Sequence, residues 1–206
     1  MGSLMRAWMT SRRNYQLAYC FDFATPIVLF LIALRAAVVP WPAAVASFMG
    51  GVLLFTFVEY GMHRWYFHGP TRFADDLHSR HHRHPLAPAA IPCLSSPAAP
   101  VLFWWPLSRL LGDAQAWFFL SGLVGTYFYY SLVHHLQHRL RAHALPSQFL
   151  REMWAAHGIH HARANVNYGV TTTLWDRIFR TYQSPRAARS LARAAAESRV
   201  SLASAP

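Results

Sequence analysis

Apolar residues in this chain gather into four long runs, separated by segments rich in Arg and His. The first two, 23–39 and 43–60, are divided only by Pro40, Trp41 and Pro42, and each approaches the roughly 20 helical residues that cross a bilayer core of about 30 Å. They predict a tight helical hairpin. The third run, 98–111, is shorter and contains Pro100 and Pro106, whereas 117–133 is a full span in which Gly122 and Gly125 let a neighbouring helix come close. The pattern predicts an all-α integral membrane protein, a four-helix transmembrane bundle in 206 residues, with no internal repeat.

Composition narrows the class. Charged residues make up 13% of the chain against about 25% in soluble domains, while 54% is hydrophobic, so a water-soluble single-core protein is excluded. Aromatics at 15% rule out disorder. Cys20 and Cys93 form no spaced set, so neither a disulfide framework nor a thiolate zinc site is expected.

All 19 basic residues are Arg, and the formal charge is +11. They lie between the apolar runs instead of forming one basic, aromatic-interleaved surface, so no nucleic-acid partner is expected and anionic lipid headgroups are the counter-charge. The turns 40–42 and 112–116 carry no Arg. Arg6, Arg12, Arg13, Arg64, Arg72, Arg80, Arg83, Arg139, Arg141 and Arg151 all fall on the other side, which makes that side and both termini cytoplasmic by the positive-inside rule. Arg35 and Arg109, near the outer ends of spans, can snorkel to the interface. The start of the chain has neither a cleavable signal nor a myristoylation motif. The expected location is a bacterial inner membrane. The membrane domain is expected to occupy 1–183, and the Ala/Arg/Ser-rich stretch 184–206 to be a surface helix or a disordered tail.

Histidine changes the picture most. There are 13, more than all acidic residues together, and on this topology they gather at the cytoplasmic end of the spans. Ten fall into four groups: His63 with His68; His78, His81 and His82; His134 with His138; and His157, His160 and His161. Helical residues three and four apart share a face, so each triplet and the His134/His138 pair can aim at one point. His63 and His68, five apart, cannot share an α-helical face and fit a place where the span ends near Gly69 and Pro70. Ten imidazoles suffice for about five on each of two metals. His84, His135 and His143 are left without a role.

The segment FTFVEYGMHRWYFH (55–68) resembles the first histidine box of the membrane fatty acid hydroxylase and sterol desaturase superfamily, particularly the fatty acid 2-hydroxylases. HSRHH (78–82), GTYFYYSLVHHLQH (125–138), HGIHH (157–161) and NYGVTTTLWDRIF (167–179) are similar to its later boxes and closing signature. The resemblance implies a cytoplasmic helical cap holding two non-haem irons, replaceable by zinc on overexpression. It also implies O2 as co-substrate and oxidation of a C–H bond of a membrane lipid acyl chain, at C2 in the 2-hydroxylases. The metal centre alone would be catalytic, with no separate acid or base. Too few residues precede the first span for the haem domain of some relatives, so a separate cytochrome- or ferredoxin-type electron donor is expected. Ser131 stands where 2-hydroxylases often carry Asp.

Glu59, one turn before His63, and Tyr60, Arg64, Trp175 and Asp176 are expected to orient the imidazoles, with Asp75 and Asp76 as further candidates. The aromatic run from Trp104 to Tyr130 offers an acyl channel, although packing accounts for most of it. A sterol or carotenoid desaturase or hydroxylase is the enzymatic alternative. A metal transporter or storage protein is the non-enzymatic one, and it calls for ligands along an ion path, of which 43–57 and 120–132 have none.

Overall fold

A computed structural model describes residues 2–36, 39–70 and 72–190. Among them the only regular structure is helical: α1 (Gly2–Met9), α2 (Arg12–Ala36), α3 (Trp41–Gly61), which runs on into a π-helix (Met62–Phe67), α4 (Arg72–Arg83), α5 (Ser95–Leu111), α6 (Asp113–Gln137), a 3-10 turn (Ala142–Ala144), α7 (Gln148–Ala162) and α8 (Leu174–Ile178). The four apolar runs become α2, α3, α5 and α6. Among the described residues, three helices are long and apolar enough to cross a membrane: Arg12–Ala36, Trp41–Phe67 and Asp113–Gln137. The protein is therefore a membrane protein. α5, broken by two prolines, is shorter at 17 residues.

α6 is the centre of the bundle and packs against α2, α3 and α5. Its buried Leu120 and Val124 meet Leu29 of α2, and its Phe118 meets Ala33 and Ala44. Leu31, Leu53, Val101, Leu102 and Trp105 point outward and exposed, as a lipid solvent permits. α2 begins at Arg12, well before the apolar run that predicts it. Its early polar residues Asn14, Asp22 and Thr25 are buried against the protein and so escape the lipid that a hydropathy pattern assumes. Asn14 also ties this helix to the cap, donating from Nδ2 to the Ile91 carbonyl at 3.0 Å and accepting from the Cys93 N–H at 2.9 Å.

The turn expected over 112–116 shrinks to Gly112, whose φ of 90° lies in the region that side chains avoid. α4, α7, α8 and their loops form a cap over one end of the bundle. Residues 185–190 are helical, and the rest of the expected tail, 191–206, lies outside the described residues.

Two glycines set how closely α3 and α6 approach. A Cβ on Gly122 would stand 2.2 Å from the Phe48 carbonyl oxygen, and one on Gly51 would stand 2.0 Å from that of Phe119. Gly125 is different, since its added Cβ would meet only Pro26 Cβ at 3.5 Å. Gly51→Leu and Gly122→Leu should each force the helices apart and cost about 1–3 kcal/mol or more. Gly125→Ala should be tolerated. Thermal unfolding of the purified protein in detergent measures all three.

Candidate metal centre

The cap brings all ten singled-out histidines together in two sets of five. His63, His68, His78, His82 and His160 form one, and His81, His134, His138, His157 and His161 the other. Within each set the candidate ligand atoms lie within 4.8 Å of one another. The division follows helix geometry. Residues four apart stay together, His78 with His82 and His157 with His161, whereas the third member of each triplet turns to the other set. Each HxxHH therefore bridges the two sets instead of serving one point.

The first box is assembled by a different device. The π-helix closes i→i+5, with the His68 N–H donating to the His63 carbonyl at 3.2 Å. Residues five apart then return to one side, and the two rings stack with centroids 5.2 Å apart. The expectation that His63 and His68 cannot share a helical face holds for an α-helix and fails here.

Contacts among the Nε2 atoms are short and regular. In the first set His63–His78 and His78–His82 are 3.0 Å, and His68–His160 is 3.1 Å. In the second, His81–His138 and His138–His157 are 3.1 Å. Metal–nitrogen bonds of about 2.1 Å meeting at right angles give an edge of about 3.0 Å, whereas a tetrahedron gives about 3.4 Å. His134 Nε2 and His161 Nε2 are buried with no hydrogen-bond partner among the described residues. Five convergent imidazoles, some with orphaned nitrogens, fit a metal ion in each set and exceed the four donors of a structural zinc site.

Burial and the neighbouring imidazoles keep the cap rings neutral, the state a ligand needs. His81 and His160 are pushed down to about 3, His161 to about 2 and His138 to about 4. His78, His82 and His157 are also held below an ordinary imidazole by burial.

The loop 166–171 fixes which nitrogen faces the centre. His63 Nδ1 donates to the Tyr168 carbonyl at 2.5 Å and His160 Nδ1 to the Val166 carbonyl at 2.8 Å. A carbonyl can only accept, so both rings carry their proton on Nδ1 and present a lone pair at Nε2. Asp176 clamps the same loop. Its Oδ1 and Oδ2 accept the N–H groups of Tyr168 and Gly169, both at 2.8 Å. Arg64 donates to the Tyr60 hydroxyl at 2.8 Å, which reaches Thr181 Oγ1 at 3.1 Å, and Thr181 donates to Asp176 Oδ1 at 2.7 Å. Three of the residues expected to orient imidazoles thus form one relay that ends on the loop.

Glu59 also reaches the loop and not a ring. Its Oε1 accepts the N–H groups of Val170 at 2.5 Å and Thr171 at 3.0 Å, and its Oε2 accepts the Thr171 hydroxyl. Trp175 stands apart, donating to Thr56 Oγ1 at 3.0 Å. Asp76 pairs with Arg6, and the side chain of Asp75 lies outside the described residues. Spacing gives no role to Asn167, yet it is buried with φ 54° and holds the loop closed, accepting the Gln183 N–H at 2.7 Å and donating to the Ala156 carbonyl at 3.2 Å. Its signal was Asn before Tyr-Gly, because Asn tolerates positive φ better than most residues.

A cavity of about 440 Å³ opens beside the histidines and reaches His78, His81, His134 and His138. Phe55, Val58, Met62 and Ile91 make much of it apolar, in the size range of ligand sites. Of the aromatic run considered as a channel, only Tyr127 and Tyr130 line it.

Fold and site together define a membrane-spanning helical protein with two five-histidine groups that could each hold a metal ion beside an apolar cavity. Residues 48–181 match the fatty acid hydroxylase family, and the chain belongs to that family. It is 30% identical over 178 residues to the dihydroceramide fatty acyl 2-hydroxylase FAH2 of Arabidopsis thaliana, covering 79% of this chain and 72% of that protein. It is 32% identical over 156 residues to the fatty acid 2-hydroxylase of Rattus norvegicus, covering 70% of this chain but 41% of the relative. The solved structure of full-length scs7p, with only its hydroxylase domain visible, superposes with a TM-score of 0.69 at 23% identity, covering 90% of this chain and 72% of that one, and shares its fold.

Two outcomes follow. Asp176→Asn places an amide against the loop N–H groups and should weaken metal affinity about 10- to 100-fold, read by metal titration of the stripped protein. The cap imidazoles have folded pKa values below the ordinary 6.5, so at these rings the unfolded chain binds more protons below that pH, and they outnumber the raised Asp176 carboxyl of the cap, which acts the other way. Stability of the stripped protein should therefore fall as pH drops from 6.5 toward 4 and on to 3, and stay flat above 7, in a pH series of thermal melts.

Proposed function

We propose that the protein is a di-iron hydroxylase that inserts one oxygen atom of O2 into a C–H bond of a lipid acyl chain. The observation that carries this is the junction of two five-imidazole sets with an apolar cavity whose wall includes four of the same histidines. The ten histidines, from His63 to His161, are the ligands. The overall reaction is R–H + O2 + 2 e⁻ + 2 H⁺ → R–OH + H2O, and its electrons come from a separate cytochrome- or ferredoxin-type protein.

Iron, when bound, supplies the redox chemistry of O2, which zinc with its filled d shell cannot do. Zinc competes well for imidazole donors, so overexpressed protein can hold zinc and be inactive. The residues do the rest. His63 and His160 present fixed lone pairs, Asp176 and Glu59 hold the loop that fixes them, and Phe55, Val58, Met62 and Ile91 keep the acyl chain in a dry cavity. The named activities of the plant and rat relatives favour an acyl chain oxidised at C2 over a sterol or carotenoid.

The skew of Arg residues supports a cytoplasmic position for the centre and both termini. Residues 1–183 are the hydroxylase unit, an assignment supported by Asn167 clasping Gln183.

The test is lipid mass spectrometry of cells expressing the wild-type chain, His157→Ala or His160→Ala, under ¹⁸O2. Wild type should add one labelled oxygen to an acyl chain, and each variant should lower that product at least 100-fold. A loss of two hydrogens in place of the added oxygen would identify a desaturase, and labelled product persisting in both variants would overturn the metal assignment.

A further inference from the structure

His135 stands between two proposed ligands on α6 and belongs to neither set. It lines the cavity, and its Nδ1 lies 2.6 Å from the hydroxyl of Tyr15, which lines the same cavity from α2. Tyr19 packs on both, with ring centroids 5.0 Å from Tyr15 and 6.0 Å from His135. Tyr19 is itself committed, donating to the Ser131 carbonyl at 2.9 Å.

The protons can be counted. A phenol and a neutral imidazole bring one O–H and one N–H, and their mutual hydrogen bond uses one of them. Whichever tautomer holds, one donor is left over, in a cavity whose wall is otherwise mainly apolar. Glu59 and four histidines of that wall are already engaged. Both Glu59 oxygens accept from the loop, and the imidazoles of His78, His81, His134 and His138 belong to the two sets.

An acyl substrate has one polar end, a carbonyl carbon bearing either a carboxylate oxygen or an amide nitrogen. We infer that the Tyr15–His135 pair is the subsite for that carbonyl oxygen, holding it by the spare donor so that the carbon next to it lies at the metal centre. The pair is a specificity-determining subsite, not a catalytic one. It would select the oxidised carbon, because an apolar wall alone lets a chain slide by one methylene with little penalty. This rests on the acyl-hydroxylase reading above, and the binding arm below does not depend on turnover.

Tyr15→Phe removes the hydroxyl with the ring kept in place, and His135→Gln keeps a donor where His135→Leu does not. Each metal-loaded protein is titrated in detergent micelles with a C16 free fatty acid, an N-acyl amide of the same chain and the C16 hydrocarbon. The wild type should bind the two carbonyl ligands more tightly than the hydrocarbon. Tyr15→Phe and His135→Leu should each lose roughly three- to tenfold for the carbonyl ligands alone, the size of one neutral hydrogen bond, with His135→Gln recovering part of it. In turnover the same two variants should spread hydroxylation from one carbon to its neighbours at unchanged metal content. Loss for only the acid or only the amide would identify which carbonyl source the subsite takes and support the inference. Equal loss for all three ligands, or no loss for any, would overturn it. A wild type that binds as described but yields no oxidised lipid would count against the proposed reaction and leave the subsite standing.

Discussion

The Glu59 carboxylate and the peptide N–H groups of Val170 and Thr171 are the contact on which the rest of the centre depends. An acidic group buried in a span is costly without partners, and so are loop amides buried away from water. Each satisfies the other. The result is a loop carried by no regular element of its own, yet pinned to α3 by Glu59 and to α8 by Asp176. With its N–H groups taken, the loop turns two carbonyls, Tyr168 and Val166, onto His63 and His160. The tautomers of two histidines in the first set are thereby settled by carboxylates that touch neither ring.

This arrangement separates charge from coordination. All ten donors are neutral imidazoles, so a metal pair would keep its full positive charge, which favours anionic oxygen species near it. Negative charge is displaced one layer outward, to Glu59 and Asp176, where backbone amides neutralise it. Burial pushes the Asp176 carboxyl up, and the Thr181, Gly169 and Tyr168 hydrogen bonds act the other way. Arg64 adds a cation at the end of the relay, its guanidinium carbon 5.7–6.0 Å from the rings of Tyr60, Trp65, Tyr168 and Phe179.

The bundle was legible in the sequence because lipid writes a plain pattern: long apolar runs, punctuated by Pro40–Pro42 and Gly112. Eight of the ten histidines were legible because spacing at three and four residues survives as geometry along α4, α6 and α7, while His63 and His68 stood out by their number and place at the end of a span. What spacing leaves open is which of the two sets each one joins. Adjacent residues such as His81 and His82 diverge around the helix, so only the packing of α4 against the π-helix and the histidines of α6 and α7 assigns them. The orienting groups were harder still. Glu59 sits one turn from His63, which suggests a direct contact, but its partners are amides more than a hundred residues away. The two carbonyls that orient His63 and His160 carry no side-chain signature whatever, and Asn167 acts through backbone partners that no local pattern announces.

The π-helix shows why the centre lies where the third helix leaves the membrane. An α-helix could place only one of His63 and His68 on the inner face, because five residues overshoot a turn of 3.6. Widening the turn brings both inward, but i→i+5 geometry is poorer and needs outside support. That support is present. Arg64, inside the π segment, holds Tyr60 on the preceding turn, while Trp65 packs edge-on against Tyr60 and Phe179 at 5.9 and 5.8 Å. At the far end a Cβ on Gly69 would stand 1.9 Å from the Trp65 carbonyl, so the exit from the widened turn is closed to other residues. The same aromatic cluster therefore supports the irregular turn that carries the first two histidines and, through Tyr60 and Thr181, the clamp on the loop that orients them. The first histidine pair and its support converge on the π-helix and its exit at the end of a span, where the apolar cavity and the polar cap meet.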